Sequence, residues 1–289
     1  VRRVGELEAK VKKLEEKLQN AEKVGKLPKV VVPVHFAGLS CEMESIHKLS
    51  LKYGFKIIED ASHSIGGSHL GYPVGSCQYS DITILSFHPV KIITTGEGGM
   101  ALTNNSCLAR RMSLLRSHGI TRDPVSMSGE VDGDWSYQQI ELGFNYRMTD
   151  IQAALGASQL SRVGKFVSAR NRLAERYTEK LSILPVSIQK RSGSTYSAYH
   201  LFVINFQDEI HVKVRQRIFN DLRKAGIGVN VHYIPVHTQP YYRAMGFSWG
   251  DFPASEIYYQ SALTLPMFPD LTYEEQDYVI SKLRASLSI

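Results

Sequence analysis

Short runs of branched apolar residues alternate with helix-length amphipathic stretches over the first 116 residues, and this alternation restricts the chain to a sheet covered by helices. Val30-Val31-Val32-Pro33-Val34 reads as a buried strand, Glu42 to Lys52 as a helix, and Phe55 to Ile58 as a second buried strand. Ile82 to Phe87 and Met100 to Thr103 are further strands, followed by a helix from about Ser106 to Arg116. The pattern predicts an α/β protein with a parallel or mixed sheet. Sheets of this kind take their ligands beyond the carboxyl ends of the strands.

Ahead of the sheet, Leu7, Val11, Leu14, Leu18 and Ala21 recur at spacings of four and three with Lys and Glu between them. This is an amphipathic helix, and because the pattern stops at Gly25 and Pro28 it suits packing onto a sheet better than a coiled coil. Gly119 to Phe144 is aperiodic and rich in Gly, Asp, Ser and aromatic residues, long enough to suggest a functional or partner-contacting loop. Thr149-Asp150 opens a long helix running towards Leu181, with Gly156 and Gly164 as possible bends. A smaller unit follows: strand Tyr199 to Phe206, helix Val212 to Ala225, strand Ile227 to Val231, an aromatic loop, and a last helix from Tyr273 to about Leu287. The division expected is a large domain over 1–170 and a small C-terminal domain over 171–289.

The chain has 289 residues, 43% of them hydrophobic, which is ample core for one large or two unequal domains. A net charge of +6 suits an anionic ligand, but Lys and Arg are dispersed, which disfavours nucleic acid as the partner. No apolar run is long enough to span a membrane. Cys41, Cys77 and Cys107 lack CxxC spacing and fit reduced thiols in a cytoplasmic protein. No secretory signal opens the sequence, and residue 1 is Val, which suggests a fragment or a processed product.

Chemistry concentrates between Glu59-Asp60-Ala61-Ser62-His63 and Ser86-Phe87-His88-Pro89-Val90-Lys91, ending in Gly96-Glu97-Gly98-Gly99. Asp60 directly follows a buried strand and Lys91 lies four residues beyond the end of another, so both can reach one mouth of the sheet. A lysine and an aspartate converging on one ligand is what pyridoxal phosphate requires: the amine forms the Schiff base, and the carboxylate keeps the pyridine nitrogen protonated so that the ring accepts electrons. Desolvation would lower the lysine pKa and favour the neutral amine as nucleophile and proton carrier. Taken singly, Asp60 also fits a helix cap and Lys91 a solvated surface residue.

The order of the D-A-S-H, S-F-H-P-x-K and G-E-G-G segments, with 31 positions between Asp60 and Lys91, resembles the DegT/StrS family of sugar aminotransferases. The likeness runs from about Leu27 onward, and in detail it is similar to the branch that aminates a UDP-sugar in pseudaminic acid biosynthesis. It implies a fold-type I pyridoxal-phosphate transferase: an incomplete large mixed α/β sheet domain plus a smaller C-terminal α/β domain. It further implies that Lys91 holds the cofactor, that Asp60 pairs with the pyridinium nitrogen, that His63 sits beside the ring and its phenolate oxygen, and that Ser86 bonds the phosphate. Gly96, Gly98 and Gly99 would let the backbone turn beneath the site.

By the same resemblance, Gly143-Phe144-Asn145-Tyr146-Arg147-Met148 crosses a homodimer interface, where Asn145 reaches the neighbouring subunit's cofactor phosphate and Arg147 assists. Read by itself, Asn145 is an ordinary turn residue before the Thr149 cap. His232-Tyr233-Ile234-Pro235-Val236-His237 places two histidines five apart without a Cys or carboxylate to complete a metal set. The family likeness assigns His232 and Tyr233 to nucleotide-sugar contact, and Tyr241 and Tyr242 offer stacking faces or an aromatic core patch.

Two features of the family are not recognisable in residues 1–28: a Ser/Thr-rich phosphate-binding turn and an aromatic residue that stacks on the pyridine ring. The expectation is therefore a sheet lacking its first strands, with an open edge and exposed apolar surface. The activity implied is transfer of nitrogen from an amino acid, glutamate foremost, to a 4-keto-6-deoxy nucleotide sugar. A sugar dehydratase would carry His in place of Lys91, and a catalytically silent subunit partner is the reading from another class.

Overall fold

The computed structural model describes residues 2–190, 193–206 and 211–287, with the side chains of 2–10 and 211–213 set aside. Helix α1 (Arg2–Lys23) turns its apolar stripe inward, and Leu18 is fully buried. The stripe meets α2 (Met43–Tyr53): Val11, Leu14 and Leu18 share one cluster with Met43, Ile46 and Leu49, and the strand residue Ile57 joins beneath them. The helix thus covers α2 as much as the sheet. Leu7 lies outside the described side chains.

Strands β1 (Val30–Val31), β2 (Lys56–Asp60), β3 (Ile82–Ser86) and β4 (Gly99–Leu102) form a sheet in that order, the first three parallel and β4 antiparallel to β3. The expected buried strand at 30–34 is corrected in two respects. Its ladder is two residues long, with one further bridge from Val34 to Asp60, because Pro33 has no N–H to give. Val30, Val32 and Val34 are also exposed, since among the described residues β1 has a neighbour on one side only. Met100 of β4 is exposed at the opposite edge.

After α3 (Ser106–Arg116), the segment expected to be a loop carries a small pairing of Ile120–Thr121 with Gln138–Gln139. The long helix is two helices, α4 (Asp150–Leu160) and α5 (Val163–Lys180), broken at Ser161 and Arg162 and not at either glycine. Thr149 caps α4 in a capping box with Gln152. Gly156 serves contact instead of bending, because a β-carbon there would come within 2.7 Å of Thr95 Cγ2.

Helix α5 belongs to two cores. Its start, with Val167, packs with Phe87, Ile92 and Ile93; its later turns, with Leu173, Ala174 and Tyr177, enter a second and larger cluster. That cluster is built on the antiparallel sheet of β5 (Val186–Ile188), β6 (Phe202–Phe206) and β7 (Ala262–Leu265), in the order β7-β6-β5. Against it lie α6 (His211–Lys224), α7 (Pro253–Ser261) and α8 (Tyr273–Leu287), contributing Ile218, Leu222 and Leu283 to the cluster from α6 and α8. Each such side chain, fully withdrawn from water, contributes about 1.5–3 kcal/mol.

The strand expected at 227–231 is not formed. Ile227 and Val229 are buried as alternation demands, but the backbone makes only a single bridge, Asn230 to Thr264. Glycines at 226 and 228 let the chain dip into the core without running alongside β7.

Candidate active site

The parallel register of β2 and β3 pairs Asp60 with Ile84, so the residues that follow each strand emerge at one end of the sheet. Asp60 Oδ1 accepts the Ser62 amide at 3.1 Å, while Oδ2 takes no hydrogen bond from the described residues. Beyond β3, Phe87 accepts Thr94 Oγ1 and the Thr95 amide on its carbonyl, closing a loop that carries Lys91 back over the strand end. Thr94 is itself tied to α4, its amide donating to Gln159 Oε1 at 3.1 Å. Gly96 and Gly98 take left-handed or extended positive-φ backbone here, and Gly99 opens β4 opposite Ser86.

Lys91 is half-buried. Burial pulls its amine below the ordinary lysine value, and the Asp60 carboxylate, close enough to be felt, draws it part of the way back. Around it stand three imidazoles. His63 is pushed down to about 4, first by burial, then by the Lys91 charge, against a smaller upward pull from Asp60. His200 is pushed down to about 2 by burial, with His63, Lys91, Arg170 and His232 adding to the effect. His232 is lowered by burial and by Lys91. An amine of lowered pKa, a carboxylate oxygen without a hydrogen bond from the described residues and three imidazoles of depressed pKa therefore lie close enough to feel one another.

The geometry around His63 is closely specified. Its Nδ1 accepts the Ala37 amide at 3.3 Å, and its Nε2 lies 3.4 Å from the Tyr233 hydroxyl. Its ring is 4.4 Å from that of His200 and 6.0 Å from that of Phe36. His232 Nδ1 meets Thr264 Oγ1 at 2.8 Å, whereas His237 Nε2 meets the buried Glu256 carboxylate at 2.7 Å. The two histidines serve different partners, and no cluster able to hold a metal occurs among the described residues.

Asp60, His63, Lys91, His232 and Tyr233 are thus brought together. Ser86 is half-buried at the same strand end. Asn145 and Arg147 are not part of this group within the chain: both are exposed, Asn145 bridges to Ser117, and neither shares a hydrogen bond or ion pair with the pocket among the described residues. Tyr241 and Tyr242 are likewise elsewhere, in edge contact with each other on a five-residue helix, Pro240–Ala244. Three members escape sequence reasoning. His200 precedes β6 with no spacing to mark it, the Ala37 amide has no side-chain signature, and Tyr258, at 5.6 Å from Phe36, sits inside an ordinary helix.

Pyridoxal phosphate fits this donor set. Asp60 Oδ2 is free to meet a protonated ring nitrogen, Lys91 supplies an amine of lowered pKa, and the buried His200 Nδ1 lacks a partner. A cavity of about 770 Å³ opens beside His200 and His232, and another of about 890 Å³ beside Phe36, Tyr233 and Tyr258.

The depressed imidazoles carry a pH consequence. Between the ordinary value of 6.5 and the folded value of about 4 for His63, the unfolded chain binds a proton that the folded chain refuses. His200 acts in the same direction over a wider range. The stability contributed by these two histidines is therefore full above pH 6.5 and falls as the pH drops through this window. Thermal unfolding followed from neutral pH downward checks this: His200→Asn should flatten the decline, and an equally steep decline in that variant would refute the assignment.

The DegT/DnrJ/EryC1/StrS aminotransferase family matches residues 6–284. Among curated relatives, the spore coat polysaccharide biosynthesis protein SpsC of Bacillus subtilis is 34% identical over 259 residues, covering 89% of this chain and 66% of its own length. Among solved structures, Helicobacter pylori PseC, described as an aminotransferase involved in pseudoaminic acid biosynthesis, superposes with a TM-score of 0.81 at 28% identity, over 91% of this chain and 68% of its own. The pyridoxal-phosphate form of the putative sugar aminotransferase Spr1654 from Streptococcus pneumoniae gives 0.80 at 27% identity, over 91% and 69%. The chain spans about two-thirds of the length of these relatives. It belongs to the DegT/DnrJ/EryC1/StrS aminotransferase family, a group of pyridoxal-phosphate-dependent enzymes with the fold-type I architecture.

Proposed function

We propose that the chain carries the reaction centre of a nucleotide-sugar aminotransferase, moving an amino group from an amino acid, glutamate foremost, to a 4-keto-6-deoxy nucleotide sugar for cell-surface glycan or pseudaminic acid biosynthesis. The observation that carries the reading is the meeting of a desolvated Lys91 amine with the Asp60 carboxylate at one end of a parallel sheet. When bound, pyridoxal phosphate supplies an aldehyde and an electron-accepting ring. Asp60 would hold the proton on the ring nitrogen, and Ser86 would receive the phosphate. Lys91 would hold and move a proton at Nζ, which its lowered pKa favours. His63, neutral, would present a donor at Nε2 beside the ring without competing for that proton.

Residues 1–170 act as the cofactor-binding domain and 171–289 as the small domain, with α5 shared between their cores. The nucleotide sugar is met by His232 and Tyr233. A homodimer in the cytoplasm is part of this reading: Phe144, Tyr146, Ile151, Leu155 and Leu160 present exposed apolar side chains on the segment that bears Asn145 and Arg147. Those two polar residues would then serve the neighbouring subunit's site.

A second reading, a catalytically silent partner subunit, is favoured by one observation, the apolar edges at Val30, Val32 and Met100. Incubation with pyridoxal phosphate followed by borohydride separates the two. The aminotransferase reading expects a pyridoxyl adduct mapped by mass spectrometry to Lys91; modification spread over surface lysines, with none at Lys91, would support the silent partner.

A further inference from the structure

One buried hydrogen-bonded pair lies beside the site without belonging to it. His35 and Glu59 are almost wholly enclosed, and His35 Nε2 is 2.7 Å from Glu59 Oε1. Ser80 Oγ and Thr83 Oγ1 both donate to Glu59 Oε2, at 2.9 and 3.3 Å. Every acceptor position of the carboxylate that faces protein is therefore engaged, and its pKa lies below the ordinary glutamate value despite burial, held there by His35, Ser80 and Thr83. Burial opposes a charge on His35 while Glu59 favours one, and the Cys41 amide, pointing at Nδ1 from 3.3 Å, needs a lone pair there. The amide is a fixed backbone donor, so it decides for a neutral ring with its proton on Nε2, aimed at Glu59.

His35 is also where the chain turns into the site. Its amide donates to the Asp60 carbonyl at 2.9 Å, and its carbonyl accepts Ser64 Oγ at 3.1 Å, so backbone and side chain are both pinned to the strand end that bears the reaction centre. The following turn, Phe36–Gly38, holds Ala37 at φ 60° and ψ 6°, a left-handed conformation that costs an L-residue about 1–2 kcal/mol. Gly38 must be glycine, because a β-carbon there would lie 2.6 Å from the Tyr199 amide nitrogen. The turn is wedged between two anchors: His35 on one side and residues 198–201 on the other, where Ala198 and Leu201 donate to the carbonyls of Gly38 and Ala37. What this strained turn delivers is the Ala37 N–H on His63 Nδ1.

We infer that His35 and Glu59 are positioning residues: by holding the left-handed turn at Ala37 they keep an amide on Nδ1 of His63, and so confine the His63 proton to Nε2, the nitrogen that lies 3.4 Å from the Tyr233 hydroxyl. The inference rests on the placement of the reaction at Lys91, Asp60 and His63, and it concerns which hydrogen bond His63 can make. A ring whose Nδ1 is occupied by an amide donor is a donor at Nε2. Were the turn to relax, Nδ1 could take the proton, and His63 would present a lone pair at Nε2 in place of a donor. The groups facing His63 from the neighbouring elements are Lys91, Asp60, His200, His232 and Tyr233, none of which contacts Nδ1.

The test is made on the cofactor-free chain, so that its outcome does not depend on whether Lys91 forms an adduct. Nitrogen-15 imidazole spectra, with His63 identified by its loss in His63→Gln, report the tautomer and the titration midpoint directly. The intact chain should show a protonated Nε2, an unprotonated Nδ1 and a midpoint near 4. His35→Ala should give tautomer exchange and a midpoint moving towards 6.5, whereas Glu59→Gln, which keeps an acceptor for His35 Nε2, should retain the parent pattern. Should His35→Ala fail to fold, Ser80→Ala, which loosens Glu59 with both partners in place, is expected to shift His63 in the same direction by less. An unchanged His63 spectrum in a folded His35→Ala protein, or in Ser80→Ala where that is the only folded variant, overturns the inference. So does a large shift in Glu59→Gln, because it would trace the effect to charge and not to the turn.

Discussion

Replacing Lys91 by alanine is expected to abolish the borohydride-stable pyridoxyl adduct and to lower amino transfer about 10³-fold or more, the range over which a positioned proton carrier acts. Folding should be unaffected, because the amine sits half-buried with an unfavourable desolvation and no hydrogen bond or ion pair from its side chain among the described residues. Lys91→Arg sharpens the test. A guanidinium keeps the charge near Asp60 but cannot become a neutral nucleophile at any working pH, so it should be as inactive as alanine while leaving His63 as depressed as before. Substantial transfer by Lys91→Arg, measured as glutamate-dependent amination of a keto sugar nucleotide, would show that the residue acts through its charge. Thermal unfolding of each variant separates loss of chemistry from loss of structure.

The largest effect on stability is expected at Arg170. This side chain on α5 is buried and donates through Nη1 to the carbonyls of Tyr199, His200 and Met267, at 3.1, 3.3 and 2.8 Å. No carboxylate pairs with it among the described residues, and burial pulls its pKa down to about 10. A cation so placed is held by carbonyl dipoles alone. Arg170→Met keeps most of the volume but leaves three buried acceptors without their charged donor, each such bond having a net value of about 1.5–3 kcal/mol. The expected cost is about 3 kcal/mol or more, read as a shift of the urea midpoint with an unchanged slope. Because Arg170 also depresses His200, the variant should raise the His200 midpoint, a change that loss of packing alone would not produce.

Much of the site was legible because its logic is local. A carboxylate directly after one parallel strand and a lysine a few residues after the next must emerge at a common edge, and β2 and β3 deliver them there. The terminal helix Tyr273–Leu287 and the cap at Thr149 followed from periodicity and capping chemistry, which act within a few residues. Other features depend on what stands alongside. Val30 to Val34 has the composition of a buried strand, but burial requires a second neighbour, and among the described residues there is one. Ile227 to Val231 has the alternation of a strand, and Ile227 and Val229 are buried, yet the backbone leaves the ladder after a single bridge.

The sequence by itself determined the class of fold and the placing of Asp60 and Lys91 at strand ends, since strand period and parallel handedness act on neighbouring residues, and the order of its motifs carried the family resemblance that implied the cofactor. Only the tertiary structure decided which groups surround Lys91 and depress the imidazoles beside it. His200, the Ala37 amide and the His35–Glu59 pair come to His63 from 137, 26, 28 and 4 positions away along the chain, in the order His200, Ala37, His35 and Glu59. Their effect on its proton is set by distance in space and by shared burial, and neither quantity has any expression in a linear pattern of residues.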